Sequence, residues 1–154
     1  MFFQPLKEMY TPLILLLLIY ASMYFGGQNS ERRKEKGAIK LHTQFDVKAN
    51  VPSFIDITDG LTHDVNFLDK IVYEPGAFYI ADKAYIDFER LFVIQQTGAF
   101  FVTRAKENMN YRRLYSAKVN KSKGIKYDQT ILLNNYYSAK DYPEKIRRIK
   151  ILRH

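Results

Sequence analysis

At 154 residues, 47% of them hydrophobic, the chain is long enough for one compact domain with a real core and leaves little room for a second. It has no cysteine, which excludes a disulfide framework, a thiol nucleophile and a thiolate zinc site, and suits a reducing compartment, the cytoplasm by default. The net charge of +8 is uneven: fourteen Lys/Arg face four Asp/Glu between Arg104 and His154, while the remainder is slightly acidic. Such a basic half attracts polyanions, nucleic acid first and an anionic membrane second, although solubility alone also calls for surface charge.

Residues 1–32 read differently from the rest. Leu13 to Phe25 (LILLLLIYASMYF) is almost unbroken apolar sequence, followed by Gly26 to Ser30 and the charged cluster Glu31 to Lys36. The run is expected to form an apolar helix. It is shorter than the about 20 residues of a membrane span, yet the Arg/Lys cluster behind it suits a cytoplasmic flank. A signal peptide needs a basic front, and here Lys7 stands beside Glu8. No polar residue interrupts the leucines as an amphipathic helix requires. A third reading is a segment translated in the wrong frame.

From Gly37 the pattern is that of an α/β domain. Ala38 to Lys48 alternates around Ile39, Leu41, Phe45 and Val47, which predicts a strand with one solvated face. Val51 to Thr58 predicts a second, set off by Asn50 and closed by Asp59-Gly60, so the two form a hairpin. A helix is expected from Thr62-His63-Asp64 to about Lys70, with Thr62 as cap. Pro75-Gly76 marks a turn before the apolar strand Ala77 to Ala81, which ends at Asp82. Ile86, Phe88, Leu91, Phe92 and Ile94 make one helical face over Ile86 to Gln96, stopped by Thr97-Gly98. Ala99 to Thr103 is another buried strand. Strand, helix, strand in this order is a right-handed crossover with parallel strands. The tail from Tyr111 to Leu152 alternates and carries turn signals at Asn120 to Gly124 and Asn134-Asn135, which predicts three short β segments.

Asp82 stands where a buried parallel strand meets a helix, the end at which open α/β sheets place ligands. A carboxylate there can reach a divalent ion, and two such ions can assist phosphodiester cleavage. The residue alone reads more simply as a cap for the helix beginning near Lys83. His42 and His63, with Asp46, Asp59 and Asp64, form a loose population without metal-motif spacing, and surface or hairpin positions account for them. No Gly-rich phosphate loop and no nucleophile elbow are present.

The stretches Gly37-Ala38-Ile39-Lys40-Leu41-His42-Thr43, Val51-Pro52-Ser53-Phe54, His63-Asp64, Ala81-Asp82-Lys83-Ala84-Tyr85-Ile86-Asp87 and Gly98-Ala99-Phe100-Phe101-Val102-Thr103-Arg104 resemble, in order and spacing, the DDE transposases of the IS-four insertion-sequence family. The resemblance runs from about Arg33 to Leu152. It implies a partial RNase H-like mixed sheet with flanking helices over residues 33–154, with 105–152 as a C-terminal basic β-rich insertion. It implies that Asp82 is the second of three acidic ligands for Mg2+ or Mn2+, and that the intact family cuts and rejoins transposon-end DNA, with a homodimer as a further expectation. The third ligand is expected in a Tyr-x-x-Arg-x-x-x-Glu helix, and no Tyr here has Arg three positions later.

The first ligand should precede Gly37 and is absent as well. Read with the third base of each codon and the first two of the next, Leu13 to Glu31 admits D-S-T-T-I-D-L-C-L-N-V-F-W-R-A-K-F-R, the family's first-acid segment. A frameshift near Arg32 or Arg33 is therefore expected, with GATTCTACTACTATTGAT or a synonym in the DNA beneath Leu13 to Ile19. With one carboxylate of three, the chain is expected to be a truncated, inactive transposase fragment that holds no metal productively. The alternatives are a non-catalytic DNA-binding protein contacting phosphates through Arg104, Lys106, Arg112, Arg113, Lys118, Lys121, Lys123 and Lys126, or a small protein anchored in the membrane by residues 13–25.

Overall fold

The computed structural model describes residues 2–3, 15–25 and 37–152, with side chains described from residue 39 to residue 152. Among these, nine strands build one mixed sheet: β1 (Phe2–Phe3), β2 (Leu15–Phe25), β3 (Gly37–Asp46), β4 (Val51–Asp59), β5 (Phe78–Ala81), β6 (Phe100–Thr103), β7 (Tyr111–Ser116), β8 (Ile125–Leu133) and β9 (Ile146–Ile151). Their spatial order is β4-β3-β2-β5-β6-β1-β9-β8-β7. Two α-helices, α1 (Phe88–Gln96) and α2 (Tyr136–Asp141), and three short 3-10 segments complete the described elements. The expected α/β class is met.

Alternation produces the expected hairpin. β3 pairs antiparallel with β4 from Ile39↔Asp59 to Asp46↔Val51, and Asn50 takes a left-handed φ of 58° in the turn. Asp46 Oδ1 accepts from the backbone N–H of Lys48 at 2.8 Å and Ala49 at 2.9 Å, closing that turn. Along β4, Phe54, Asp56 and Thr58 are half-buried and Ile55 and Ile57 exposed, the period of two that a one-sided strand imposes.

The expected N-terminal apolar helix is corrected: Leu15–Phe25 is strand β2. It pairs antiparallel with β3 from Leu16↔Asp46 to Phe25↔Gly37, and parallel with β5 from Leu15↔Phe78 to Leu17↔Ile80. Leucine favours helices, but pairing with β3 along the run and with β5 at Leu15 to Leu17 gives its backbone groups inter-strand partners. Leu13, Ile14 and residues 26–36, where the frameshift junction is expected, lie outside the described residues.

The expected helix after the hairpin is a 3-10 segment, Asp64–Lys70. Thr62 does not cap it. Its hydroxyl donates instead to Asp59 Oδ1 at 2.9 Å, which also accepts the N–H groups of Leu61 and Thr62. The crossover forms as expected, with β5 and β6 parallel from Phe78↔Phe100 to Ala81↔Thr103. Asp87 caps α1 by accepting from the Arg90 N–H at 3.1 Å, and Gly98, at φ 77°, ends the turn after it.

The three expected β segments of the tail are β7, β8 and β9, an antiparallel meander. Asn134-Asn135 predicts only a turn, whereas Asn135 caps the six-residue α2 by accepting from Tyr137 N–H at 3.1 Å. One core joins all parts: Phe67, Leu68 and Ile71 from the 3-10 segment, Tyr79 and Phe101 from the parallel strands, Leu91 and Ile94 from α1, and Ile131, Leu133, Tyr142 and Ile146 from the meander and its connection. Among the described residues no helix is long and apolar enough to cross a membrane.

Candidate nucleic-acid interface and strand-end carboxylate

Asp82 follows the last residue of β5, as its place after the apolar strand predicts. Its Oδ1 accepts from Ala84 N–H at 3.1 Å, capping the 3-10 turn Lys83–Tyr85. Its Oδ2 is held by the Arg104 guanidinium from the residue after β6, so the pair links the ends of two parallel strands. Partial burial pushes the Asp82 carboxyl up, but the Arg104 and Ala84 hydrogen bonds and the charges of Arg104 and Lys83 outweigh it and hold the group below the usual carboxylate range.

Divalent metal is what the DDE triad implies, and the residues present do not fit it. Both Asp82 oxygens already have partners on this chain, and the charged groups beside it, Arg104 and Lys83, are cationic. A magnesium-type ion needs several oxygen ligands, and among the described residues no group of three His, Cys, Asp or Glu converges. Arg104, expected among the phosphate contacts, is the guanidinium of this pair.

The other polar residues singled out in the sequence divide. His42 is buried, its Nδ1 3.0 Å from the Tyr85 hydroxyl and its Nε2 3.1 Å from Thr58 Oγ1, with its ring stacked on Phe67 at 5.2 Å. Burial lowers its pKa, against the nearby charges of Asp64 and Asp56. The His42 and Tyr85 words, 43 positions apart, thus meet beside the Asp82 turn. Asp64 pairs with Lys40 at 3.0 Å, Asp46 and Asp59 close turns, and His63 is exposed.

All eight cations of the expected DNA contact set are exposed. Lys106 Nζ folds back onto the Ile86 carbonyl at 3.3 Å. Arg112 and Arg113 lie on β7, the edge strand of the sheet, and Lys126 on β8. Lys118, Lys121 and Lys123 fall in the connection between them, the last two on the 3-10 turn Lys121–Lys123. Among the described residues the one ion pair inside the meander is Arg147–Asp128, with contacts at 3.0, 3.2 and 2.6 Å. Among the described residues seven of the eight therefore lack a carboxylate partner, Arg104, paired with Asp82, being the exception. Sequence reading missed Arg148, whose guanidinium carbon lies 4.6 Å from the Tyr111 ring centre and 4.7 Å from that of Tyr127. No local pattern signals it, because the two rings come from other strands.

The described residues thus join a strand-end acid, a β-α-β crossover and a basic meander in one mixed α/β sheet. The family model described as "Transposase DDE domain" matches residues 22–154, and the chain belongs to that family. It is also 31% identical over 119 residues to the Sinorhizobium fredii (strain NBRC 101917 / NGR234) protein named "Putative transposase y4zB". That alignment covers 75% of this chain and 33% of the relative, so the chain spans about a third of the relative's length. No solved structure matches.

Proposed function

We propose that this chain is part of the catalytic domain of an IS-four-type transposase, engages DNA through the basic meander, and neither cuts nor joins strands by itself. The observation that carries the reading is the set of exposed cations on and around β7 and β8 without carboxylate partners among the described residues. Unneutralised lysines and arginines gain most from a polyanion, because each phosphate they neutralise releases condensed counterions. The strand order β4-β3-β2-β5-β6 supports an RNase H-like arrangement in which β2 stands where the strand bearing the first acid belongs. The pairing of Asp82 with Arg104 supports a strand end that is structurally satisfied and catalytically idle.

Fluorescence anisotropy of a duplex oligonucleotide across a salt series tests the DNA half. Seven phosphate contacts give a slope of log K against log[salt] near about −6. Absent or salt-independent binding refutes it. Incubation of supercoiled DNA with the chain and Mg2+ or Mn2+ tests the other half: no nicking is expected, and nicking abolished by Asp82→Ala overturns it.

A further inference from the structure

Arg147 and Arg148 are neighbours on β9 and point to opposite faces of the sheet, as alternation requires. Arg147 meets Asp128 through Nε at 3.0 Å and Nη2 at 2.6 Å, a neutralised fork. Arg148 has no such partner: among the described residues no carboxylate lies within ion-pair distance of it. Its guanidinium lies instead near the ring centres of Tyr111 from β7 and Tyr127 from β8, and Nη1 donates to Gln129 Oε1 at 3.2 Å. The register agrees, since Gln129 faces Arg148 across the β8–β9 ladder.

We propose that Arg148 is a pre-organised phosphate-binding group that takes a phosphodiester of a DNA strand on the meander; this rests on the DNA-engaging reading above and assigns it a residue. A guanidinium carries five N–H donors in one plane. The rings attract its charge without using those donors, and Gln129 uses one of them. The rest form a fork suited to two phosphate oxygens, with the rotamer already fixed by the contacts. A purely structural cation–π contact would explain the rings but would leave the positive charge uncompensated. The acid of the neighbouring strand, Asp128, is committed to Arg147.

The test compares the intact chain with Arg148→Gln, Arg148→Lys, and the charge-conserving double variant Arg147→Gln/Asp128→Asn. Folding of each is checked by circular dichroism, and DNA affinity is measured across salt. Arg148→Gln is expected to bind about tenfold more weakly and to flatten the log–log salt slope by about 0.9. Arg148→Lys restores the slope and only part of the affinity, because a point charge replaces the planar fork. The double variant lowers thermal stability and leaves the slope unchanged. In parallel, inorganic phosphate is titrated while the Arg148 Nε–H resonance is followed by NMR, with a saturable shift expected. A folded Arg148→Gln variant with the slope and affinity of the parent overturns the proposal while leaving the DNA-engaging reading intact. If the parent chain fails to bind DNA, that reading falls, and the phosphate titration alone decides: a shift sustains Arg148 as a phosphate group, and its absence overturns it.

Discussion

Truncating Tyr142 to alanine should uncouple the basic meander from the rest of the domain. Tyr142 is fully buried between α2 and β9, packs edge-on against Phe92 of α1 at 5.5 Å and Phe101 of β6 at 5.9 Å, and hydrogen-bonds through its hydroxyl to Gln95 Oε1. Deleting a buried aromatic costs about 3–5 kcal/mol, since the transfer term is joined by a cavity that packed neighbours fill only in part. Tyr142→Phe keeps the ring and loses only the hydroxyl bond, so it should cost about 1 kcal/mol. Domains of this size are stable by about 5–15 kcal/mol, so the alanine variant forfeits a large share. Urea unfolding followed by far-ultraviolet circular dichroism and by the fluorescence of the 12 tyrosines, undisturbed by any tryptophan, reads both variants. If Tyr142→Ala unfolds within about 0.5 kcal/mol of the parent, this connection does not hold meander and core together.

Burial depresses the His42 pKa below its usual 6.5, so the unfolded chain binds the proton more tightly than the folded one. Stability from this group is therefore present above pH 6.5 and is lost as pH falls through the lower folded value; the acid limb of a stability profile should lose that component in His42→Gln, and an identical limb refutes it. Asp82→Ala removes a cap from the turn Lys83–Tyr85 and should lower stability by about 1 kcal/mol. Adding Mg2+ or Mn2+ at millimolar concentration should leave the parent's melting temperature unchanged; an ion-induced rise that Asp82→Ala abolishes would reinstate a metal site.

Alternation and punctuation made much of the fold legible. The hairpin β3–β4, the crossover β5–α1–β6 and the three-stranded meander follow from period-two and helical patterns bounded by Asn50, Pro75-Gly76 and Thr97-Gly98. The position of Asp82 was legible for the same reason, and its capping role is the one that single-residue reasoning offers. What was hidden depends on residues distant in sequence. His42 shares a strand face with the polar Lys40 and Gln44, and its burial requires Phe67 and Tyr85 to arrive from later elements. The engagement of Arg104 requires Asp82, 22 positions earlier, to end the adjacent strand. The clamp on Arg148 needs two ladders to be in register. Leucine-rich sequence is ambiguous between helix and buried strand, and there the pairing partners decide.

The apolar run supplies the sharpest contrast between its readings, because a central strand and a dispensable leader respond oppositely to proline. Leu16 pairs with Asp46 of β3 on one edge and with Tyr79 of β5 on the other. Proline there removes a backbone donor and sets its ring against a neighbouring strand, a substitution that sheets tolerate only at edges or bulges. Its effect should exceed that of an ordinary surface change, about 0.5 kcal/mol, by severalfold, and should extend to β5 and therefore to the Asp82 turn. Hydrogen exchange gives the local readout: Leu16→Pro should speed exchange of the Tyr79 and Ile80 amides, while a proline at the exposed Lys118 serves as control. Unchanged protection in β5 would mean that β2 is not holding the sheet. It would return the run to its other readings, an anchor or an out-of-frame leader beside a sheet that stands without it.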